Sequence, residues 1–214
     1  MSSVRTAPAY PALVIDGSSS CFFAGALVSD GTWLSQELSP EPALESLFKT
    51  TDAILQTASL ELDAIRSFIY CEGPGSVLGL RLCAMAIETW ARIQTIRPQL
   101  FAYNSLELLA AQLIQDGRIS EDSLLISDWK KDTWNGLRLN KTGFDSVRAV
   151  PSRELADWAG PLYHLPARKG WQQAPENATT LDYQPEVIAR LIKATPEVTK
   201  QTESITLFQS GLNS

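Results

Sequence analysis

The hydrophobic residues in the first half of the chain form short runs, separated by longer stripes at helical spacing. Strand-length runs occupy residues 12–15, 21–28 and 32–37, and the Asp30-Gly31 pair predicts a hairpin turn between the last two. A helical stripe follows over 42–56. The same periodicities then predict, in alternation, a strand over 64–71, a helix over 76–93, a strand over 99–103 and a helix over 105–115.

The stretch EGPGSVLGLRLCAMAIETWARI, residues 72–93, joins a glycine-rich turn to a helix that is apolar on more than one side. Gly73, Pro74, Gly75 and Gly79 follow a strand, where a helix N-terminus can present backbone N–H groups to an anion. The spacing is neither G-x-x-x-x-G-K-[ST] nor G-x-G-x-x-G, and the alternative is that the glycines allow close packing between strand and helix. The apolar helix needs cover on two sides. One cover is expected to be the sheet, and the other is either a second helix of the chain or another protein.

The second half of the chain has a less regular pattern, and we expect it to form a smaller lobe. The predicted domains are a flexible tail over 1–10, a first lobe over 11–116 and a second lobe over 117–214. Within the second lobe, strands are predicted over 123–128, 133–140, 144–150, 162–166 and 204–208, helices over 152–158 and 183–193, and a loop over 170–180.

Composition and charge narrow the possible partners. The chain has 214 residues, 44% of them hydrophobic, and a formal net charge of −6. An acidic chain lacks the sequence-independent attraction to phosphate backbones, so any nucleic acid it acts on is expected to be held by a partner. No signal peptide and no membrane-spanning segment is expected, because no apolar run reaches the required length, and the three cysteines lack C-x-x-C spacing. These features favour a cytoplasmic protein with reduced thiols and no membrane contact.

Few residues offer catalytic chemistry. Asp16-Gly17-Ser18 follows the first strand, where phosphotransferases hold a metal and a nucleotide tail; the alternative is an Asx-type turn in which Asp16 bonds its own backbone. His164 is the single histidine, so no site with two histidine ligands can form, and we expect a strand or turn histidine with a satisfied hydrogen bond. No G-x-S-x-G motif is present. No catalytic residue, metal or resident cofactor is predicted.

Three motifs, in order along the chain, resemble the TsaB (YeaZ) family. That family's D-T-S corresponds to Asp16-Gly17-Ser18, and its G-P-G-S-F-T-G-L-R motif recurs with Val77-Leu78 in place of Phe-Thr. Its S-L-E-x-L-A helix start recurs at 105–110, and SDWKKDTWNGLRL loosely resembles its D-A-R-R-x-E-V-Y segment. The resemblance covers about residues 12–113. Its central motif is matched by Gly73, Pro74, Gly75, Ser76, Gly79, Leu80 and Arg81.

The resemblance implies an actin-like α/β fold of the ASKHA or ribonuclease H-like type, with two lobes, mixed sheets flanked by helices, and a truncated second lobe. It further implies a glycoprotease-like, non-catalytic subunit of the bacterial machinery that makes tRNA threonylcarbamoyladenosine. The expected partners are a TsaD-like catalytic subunit and a TsaE-like ATPase, with tRNA reached only through the complex. ATP or ADP would be bound by a partner or at an interface within the complex. Without its partner, the chain is expected to form a homodimer.

In this family the helices that correspond to 42–56 and 76–93 form the surface that meets TsaD or a second TsaB. The resemblance therefore implies an interface made of Leu44, Leu47, Phe48, Leu78, Leu82, Met85, Ala86 and Thr89. Two other hypotheses remain: a small ASKHA enzyme whose nucleotide chemistry depends on Asp16, and a homodimeric binding module without a tRNA role.

Overall fold

A six-stranded mixed sheet forms the centre of the computed structural model, which describes residues 7–29, 31–119, 121–166 and 173–208. The first three strands form an antiparallel meander, the next two run parallel to the first, and the last pairs antiparallel at the edge. The strands are β1 (Ala12–Asp16), β2 (Phe22–Leu27), β3 (Trp33–Ser39), β4 (Ser67–Gly73), β5 (Gln99–Asn104) and β12 (Lys200–Thr202). Their spatial order is β3-β2-β1-β4-β5-β12.

Helices cover both faces of this sheet because its central strands are apolar on both faces. Alternate residues point to opposite sides, so Leu13 and Ile15 contact one core cluster and Ala12 and Val14 contact another. The first face is covered by α1 (Ala43–Thr57) and α2 (Val77–Ile93), and the second by α3 (Ser105–Gln115) and α5 (Ile188–Ala194).

A second sheet repeats the topology of the first sheet in five of its strands. Its order, β8-β7-β6-β10-β11, again places an antiparallel meander beside two parallel strands, and β9 also pairs with β7. Helix α3 is buried between the sheets, with Leu109 and Leu113 packed against the second one. The elements are β6 (Ser123–Lys130), β7 (Thr133–Asn140), β8 (Gly143–Phe144), β9 (Arg148–Pro151), α4 (Ser152–Ala156), β10 (Leu162–Leu165) and β11 (Ala178–Thr180). The predicted fold class, α/β with two mixed sheets flanked by helices, is confirmed.

Several predicted elements of the second half are corrected by the structure. The strand predicted over 144–150 is divided into β8 and β9, and the loop predicted over 170–180 contains β11. The helix predicted over 183–193 begins as a 3-10 turn at Pro185–Val187, and α5 follows it. The strand predicted over 204–208 is wrong: β12 ends at Thr202, and the apolar residues beyond it pack against the core without a ladder.

The chain is tied to the first sheet near both ends of its described part. The Ala9 amide donates to Gln99 Oε1 at 3.0 Å, and the Ala9 carbonyl accepts from Ser67 Oγ at 2.7 Å. After β11 the chain returns to the first sheet through α5 and β12, so the range predicted for the second lobe includes residues that pack on the first. Among the described residues, no helix combines the length and the apolar character needed to cross a membrane.

Candidate functional site

Asp16 lies at the carboxyl end of β1 and is almost completely buried. One carboxylate oxygen, Oδ2, accepts hydrogen bonds from the hydroxyls of Tyr103 and Tyr183, both at 2.6 Å. The other, Oδ1, accepts from the backbone N–H of Ser18 at 2.7 Å, which forms the Asx-type turn that the sequence offered as an alternative. Both oxygens of the side chain are therefore engaged by the protein itself.

The two tyrosines that donate to Asp16 come from distant parts of the chain. Tyr103 lies near the end of β5, which is parallel to β4, which is in turn parallel to β1, so the topology brings these strand ends to one edge. Tyr183 lies between β11 of the second sheet and α5 on the first. The Tyr183–Asp16 hydrogen bond thus fastens the chain where it passes from one lobe to the other.

Burial changes the acidity of the groups around Asp16. The pKa values of Tyr103 and Tyr183 are raised well above the ordinary 10.0, first by burial and then by the negative charge of Asp16. Burial and Asp16 raise the pKa values of the Cys71 and Cys83 thiols in the same way. All four groups are therefore neutral in the folded protein at pH 7 and well above it.

The raised pKa values of these tyrosines and cysteines predict that the folded protein loses stability at alkaline pH. Unfolded thiols release their protons near pH 9.0 and unfolded tyrosines near 10.0, whereas the folded groups keep theirs. The unfolded state then binds fewer protons, so the free energy of unfolding falls as pH rises, by about 1.4 kcal/mol per pH unit for each retained proton. Urea melts between pH 8 and 10.5 measure how steeply the free energy of unfolding falls with pH. Above pH 10 this slope should be shallower in Tyr183→Phe than in the wild type. Equal slopes for both proteins would contradict this role of Tyr183.

The glycine motif packs directly on the Asp16 turn. The Ser76 backbone N–H donates to the Ser18 carbonyl at 2.6 Å, and the Gly79 N–H donates to Ser76 Oγ, the N-cap of α2, at 3.3 Å. A Cβ on Gly17 would lie 2.7 Å from Cys83 Sγ and 3.0 Å from the Gly79 carbonyl oxygen. The glycines therefore serve close packing between turn and helix, and two of the N–H groups that could meet an anion are occupied. The close approach of α2 to this turn leaves no room for a side chain at Gly17, which stands where the resemblance would place threonine.

An exposed apolar surface covers the outer side of α1 and α2. We define the helix surface as Leu44 and Phe48 of α1 with Leu78, Leu82 and Met85 of α2. Phe48 and Met85 are 63% and 65% exposed, and Leu82 is half-buried. Leu44 and Leu78 line one groove of about 610 Å³, and Phe48 contacts Trp90 edge to face with ring centroids 6.1 Å apart. The two helices therefore present one joined surface.

Two residues predicted for the interface belong to the core instead. Leu47 and Ala86 are 3% and 6% exposed and pack between α1, α2 and the first sheet. Each helix is apolar on more than one side, so spacing alone did not fix which stripe faces the sheet. Thr89 is exposed, but its hydroxyl donates to the Met85 carbonyl at 2.8 Å.

The rest of the glycine motif divides between core and surface. Leu80 is buried against the face covered by α3 and α5, and the Pro74 carbonyl accepts from Ser105 Oγ at 2.7 Å. Arg81, the fifth residue of α2, is exposed. Val77 and Leu78, which replace the Phe-Thr of the resembled motif, are both exposed and add apolar area at the start of the helix.

His164 is a buried strand residue with one partner. Its Nε2 lies 3.3 Å from Asp128 Oδ1, and its ring contacts Trp134 edge to face. Within the described ranges, no group of three or more His, Cys, Asp or Glu side chains could hold a metal ion. The predicted strand histidine has its expected hydrogen bond at Nε2, whereas its Nδ1 is buried and makes no hydrogen bond within the described residues.

Sequence reasoning missed both tyrosines that hold Asp16. Tyr103 could have been found, because it lies near the end of a predicted strand that neighbours β4, which leads into the glycine motif and itself neighbours the Asp16 strand β1. Tyr183 left no such signal, since it is 167 residues from Asp16 and precedes a helix in a segment without a repeat or motif.

Two solved structures share the fold over almost the whole of this chain and of their own. YeaZ from Pseudomonas aeruginosa matches with a TM-score of 0.65 and 17% identity, over 92% of this chain and 99% of that one. The chain has the YeaZ fold. An uncharacterized protein with similarity to peptidase YeaZ from Pseudomonas aeruginosa matches with the same TM-score and 16% identity, over 95% and 99% of the two chains. No protein-family model matches the sequence. No curated protein matches it either.

Proposed function

We propose that this protein is a non-catalytic subunit of the machinery that makes threonylcarbamoyladenosine in tRNA, and that its helix surface binds a TsaD-like catalytic subunit. The observation that carries the proposal is the exposed apolar surface of α1 and α2 on a YeaZ fold. Joined apolar patches on a protein surface mark interaction sites, because leaving them in water is unfavourable. Phe48 and Met85 are large side chains of the kind that anchor interfaces.

The arrangement around Asp16 supports a binding role over a nucleotide enzyme. A phosphotransferase carboxylate must be free to hold a metal or orient a phosphate, whereas both Asp16 oxygens accept hydrogen bonds within the chain. The nearby glycine turn uses its Ser76 and Gly79 N–H groups internally. ATP or ADP would accordingly be bound by the catalytic partner or at an interface within the complex.

The acidic charge of −6 favours contact with tRNA through the complex, where the TsaD-like subunit and a TsaE-like ATPase would supply the chemistry. This assembly would act in the cytoplasm, where the tRNA is.

Deletion of the gene tests the proposal. We expect bulk tRNA from the deletion strain to lose threonylcarbamoyladenosine and to regain it when the wild-type gene is supplied on a plasmid. Nucleoside digestion followed by mass spectrometry measures the modification, and an unrelated modified nucleoside in the same digest is the internal control. Undiminished threonylcarbamoyladenosine in the deletion strain would overturn the proposed function.

A further inference from the structure

The formal charge of the chain is divided unevenly along its length. Residues 1–116 contain 12 acidic and 6 basic residues, whereas residues 117–214 contain 12 of each. The whole excess of −6 therefore belongs to the first 116 residues. The acidity that disfavours contact with a phosphate backbone is a property of this part, and the second sheet lies outside it.

The turn between β6 and β7 gathers positive charge, and we define residues 129–132 as the hairpin tip. Lys130 ends β6, Lys131 follows it, and both residues are exposed. No carboxylate in the described part of the chain forms an ion pair with either lysine. Asp132 is the one acidic residue of the tip itself. The hairpin tip therefore carries a net positive charge.

A β-bulge brings Trp129 and Lys130 to the same side of the hairpin. Consecutive residues of a regular strand point to opposite faces. Here the register of β6 against β7 shifts between Asp128 and Lys130, and Lys130 Nζ lies 4.3 Å from the centroid of the Trp129 ring. Trp129 is only partly buried. The tip thus presents an ammonium group and an indole ring together, and RNA binds such groups through its phosphates and its stacked bases.

The start of α4 holds the hairpin tip and adds a third cation. The Ser152 backbone N–H donates to the Asp132 carbonyl at 3.0 Å, and Arg153, the next residue, is exposed. The carboxylate of Glu154 is engaged by Arg148, with one of its two hydrogen bonds at 3.1 Å. Because the backbone of the tip is fixed before a ligand arrives, binding would cost little additional ordering of the chain.

We propose that the hairpin tip, together with Arg153, contacts the tRNA directly within the complex: Lys130 and Lys131 bind backbone phosphates, and Trp129 stacks on a base. This inference rests on the proposed function, which supplies the tRNA. The helix surface lies on one face of the first sheet, whereas α3 on the other face separates that sheet from the second. A catalytic subunit bound at the helix surface therefore leaves the hairpin tip uncovered.

The tRNA affinity of the reconstituted complex tests the lysines. Filter binding over a range of salt concentrations would compare the wild type with Lys130→Gln/Lys131→Gln. The double variant is expected to weaken binding at least tenfold at low salt. It should also flatten the dependence of log affinity on log salt by about 1–2, because each lost phosphate contact removes roughly 0.7–0.9 from that slope.

Arg118→Gln/Lys141→Gln is the matched control for charge. It removes two positive charges from exposed positions outside the hairpin tip and should stay within about twofold of the wild type. Trp129→Leu keeps an apolar side chain without the ring, and it should weaken binding at least fivefold with an unchanged salt slope. Equal weakening by the two double variants would overturn the proposed contact, and full affinity of Trp129→Leu would overturn the stacking role.

Assembly of each variant with the TsaD-like subunit, followed by size-exclusion chromatography, separates this inference from the proposed function. Complexes that form normally and bind tRNA as tightly with Lys130→Gln/Lys131→Gln as with the wild type would overturn the inference and leave the proposed function standing. Loss of assembly in that variant would mean that the hairpin tip meets protein, which also overturns it. A wild type that does not assemble with the subunit would overturn both.

Discussion

Replacing Gly79 with alanine is expected to destabilise the protein by about 3 kcal/mol, at the upper end of ordinary overpacking. A Cβ at this position would overlap the backbone carbonyl oxygen of Gly17. Alanine would favour the helix by about 1 kcal/mol through its propensity. The clash outweighs that gain because its partner is backbone, which cannot rotate away, and because the Ser76–Ser18 hydrogen bond fixes the two segments together.

Urea unfolding of Gly79→Ala, followed by circular dichroism, measures this effect. Gly143→Ala is the matched control, because a Cβ at Gly143 meets no atom within 4 Å, and it should stay within about 0.5 kcal/mol of the wild type. If Gly79→Ala were as stable as the control, α2 would not be fixed on the Asp16 turn as described.

Removing the Asp16 carboxylate is expected to cost about 3–5 kcal/mol of stability in Asp16→Ala, as for other buried, charge-assisted contacts that lose one partner. The substitution leaves two buried tyrosine hydroxyls and the Ser18 N–H without their acceptor. Asp16→Asn should cost less, because the amide oxygen still accepts one or two of these bonds. Tyr183→Phe removes a single donor, so its loss of stability should be smaller than that of either Asp16 variant.

Thermal and urea unfolding of the three variants gives their order of stability. Asp52→Ala, an exposed aspartate on α1, is the control and should change stability by less than about 0.5 kcal/mol. An Asp16→Ala protein as stable as the wild type would mean that the carboxylate is held for a ligand. Nucleotide binding that Asp16→Asn abolishes would then favour the enzyme hypothesis.

The first lobe could be predicted from sequence because its signals are local. Residues 12–113 alternate short apolar runs with helical stripes, and the resemblance to a known family falls on the turns between them. Asn104 directly precedes the helical stripe, and its side chain caps α3 by accepting the N–H groups of Leu106 and Glu107. Each of these features is decided by residues a few positions apart.

Contacts between distant segments could not be predicted in the same way. β12 is the polar run Lys200–Thr202, and its place at the sheet edge depends on β5, about 100 residues earlier. Apolar Ile205 and Leu207 suggested a strand, but they pack against two different core clusters. Similarly, Leu44 and Leu47 have equal hydrophobicity, and only the position of α1 over the sheet makes one exposed and the other buried.

The central claim is that the helix surface binds a catalytic subunit, and a binding measurement with purified proteins tests it most directly. The TsaD-like subunit from the same organism would be titrated with the wild type, Met85→Glu, Phe48→Glu and Ile96→Glu. Ile96 is the control: it is an exposed apolar residue, like the other two, but it lies beyond the end of α2. We predict that the wild type and Ile96→Glu bind equally. Met85→Glu and Phe48→Glu should weaken binding at least a hundredfold, about 2.7 kcal/mol, with unchanged unfolding curves. Binding of Met85→Glu and Phe48→Glu as tight as that of the wild type would contradict the account.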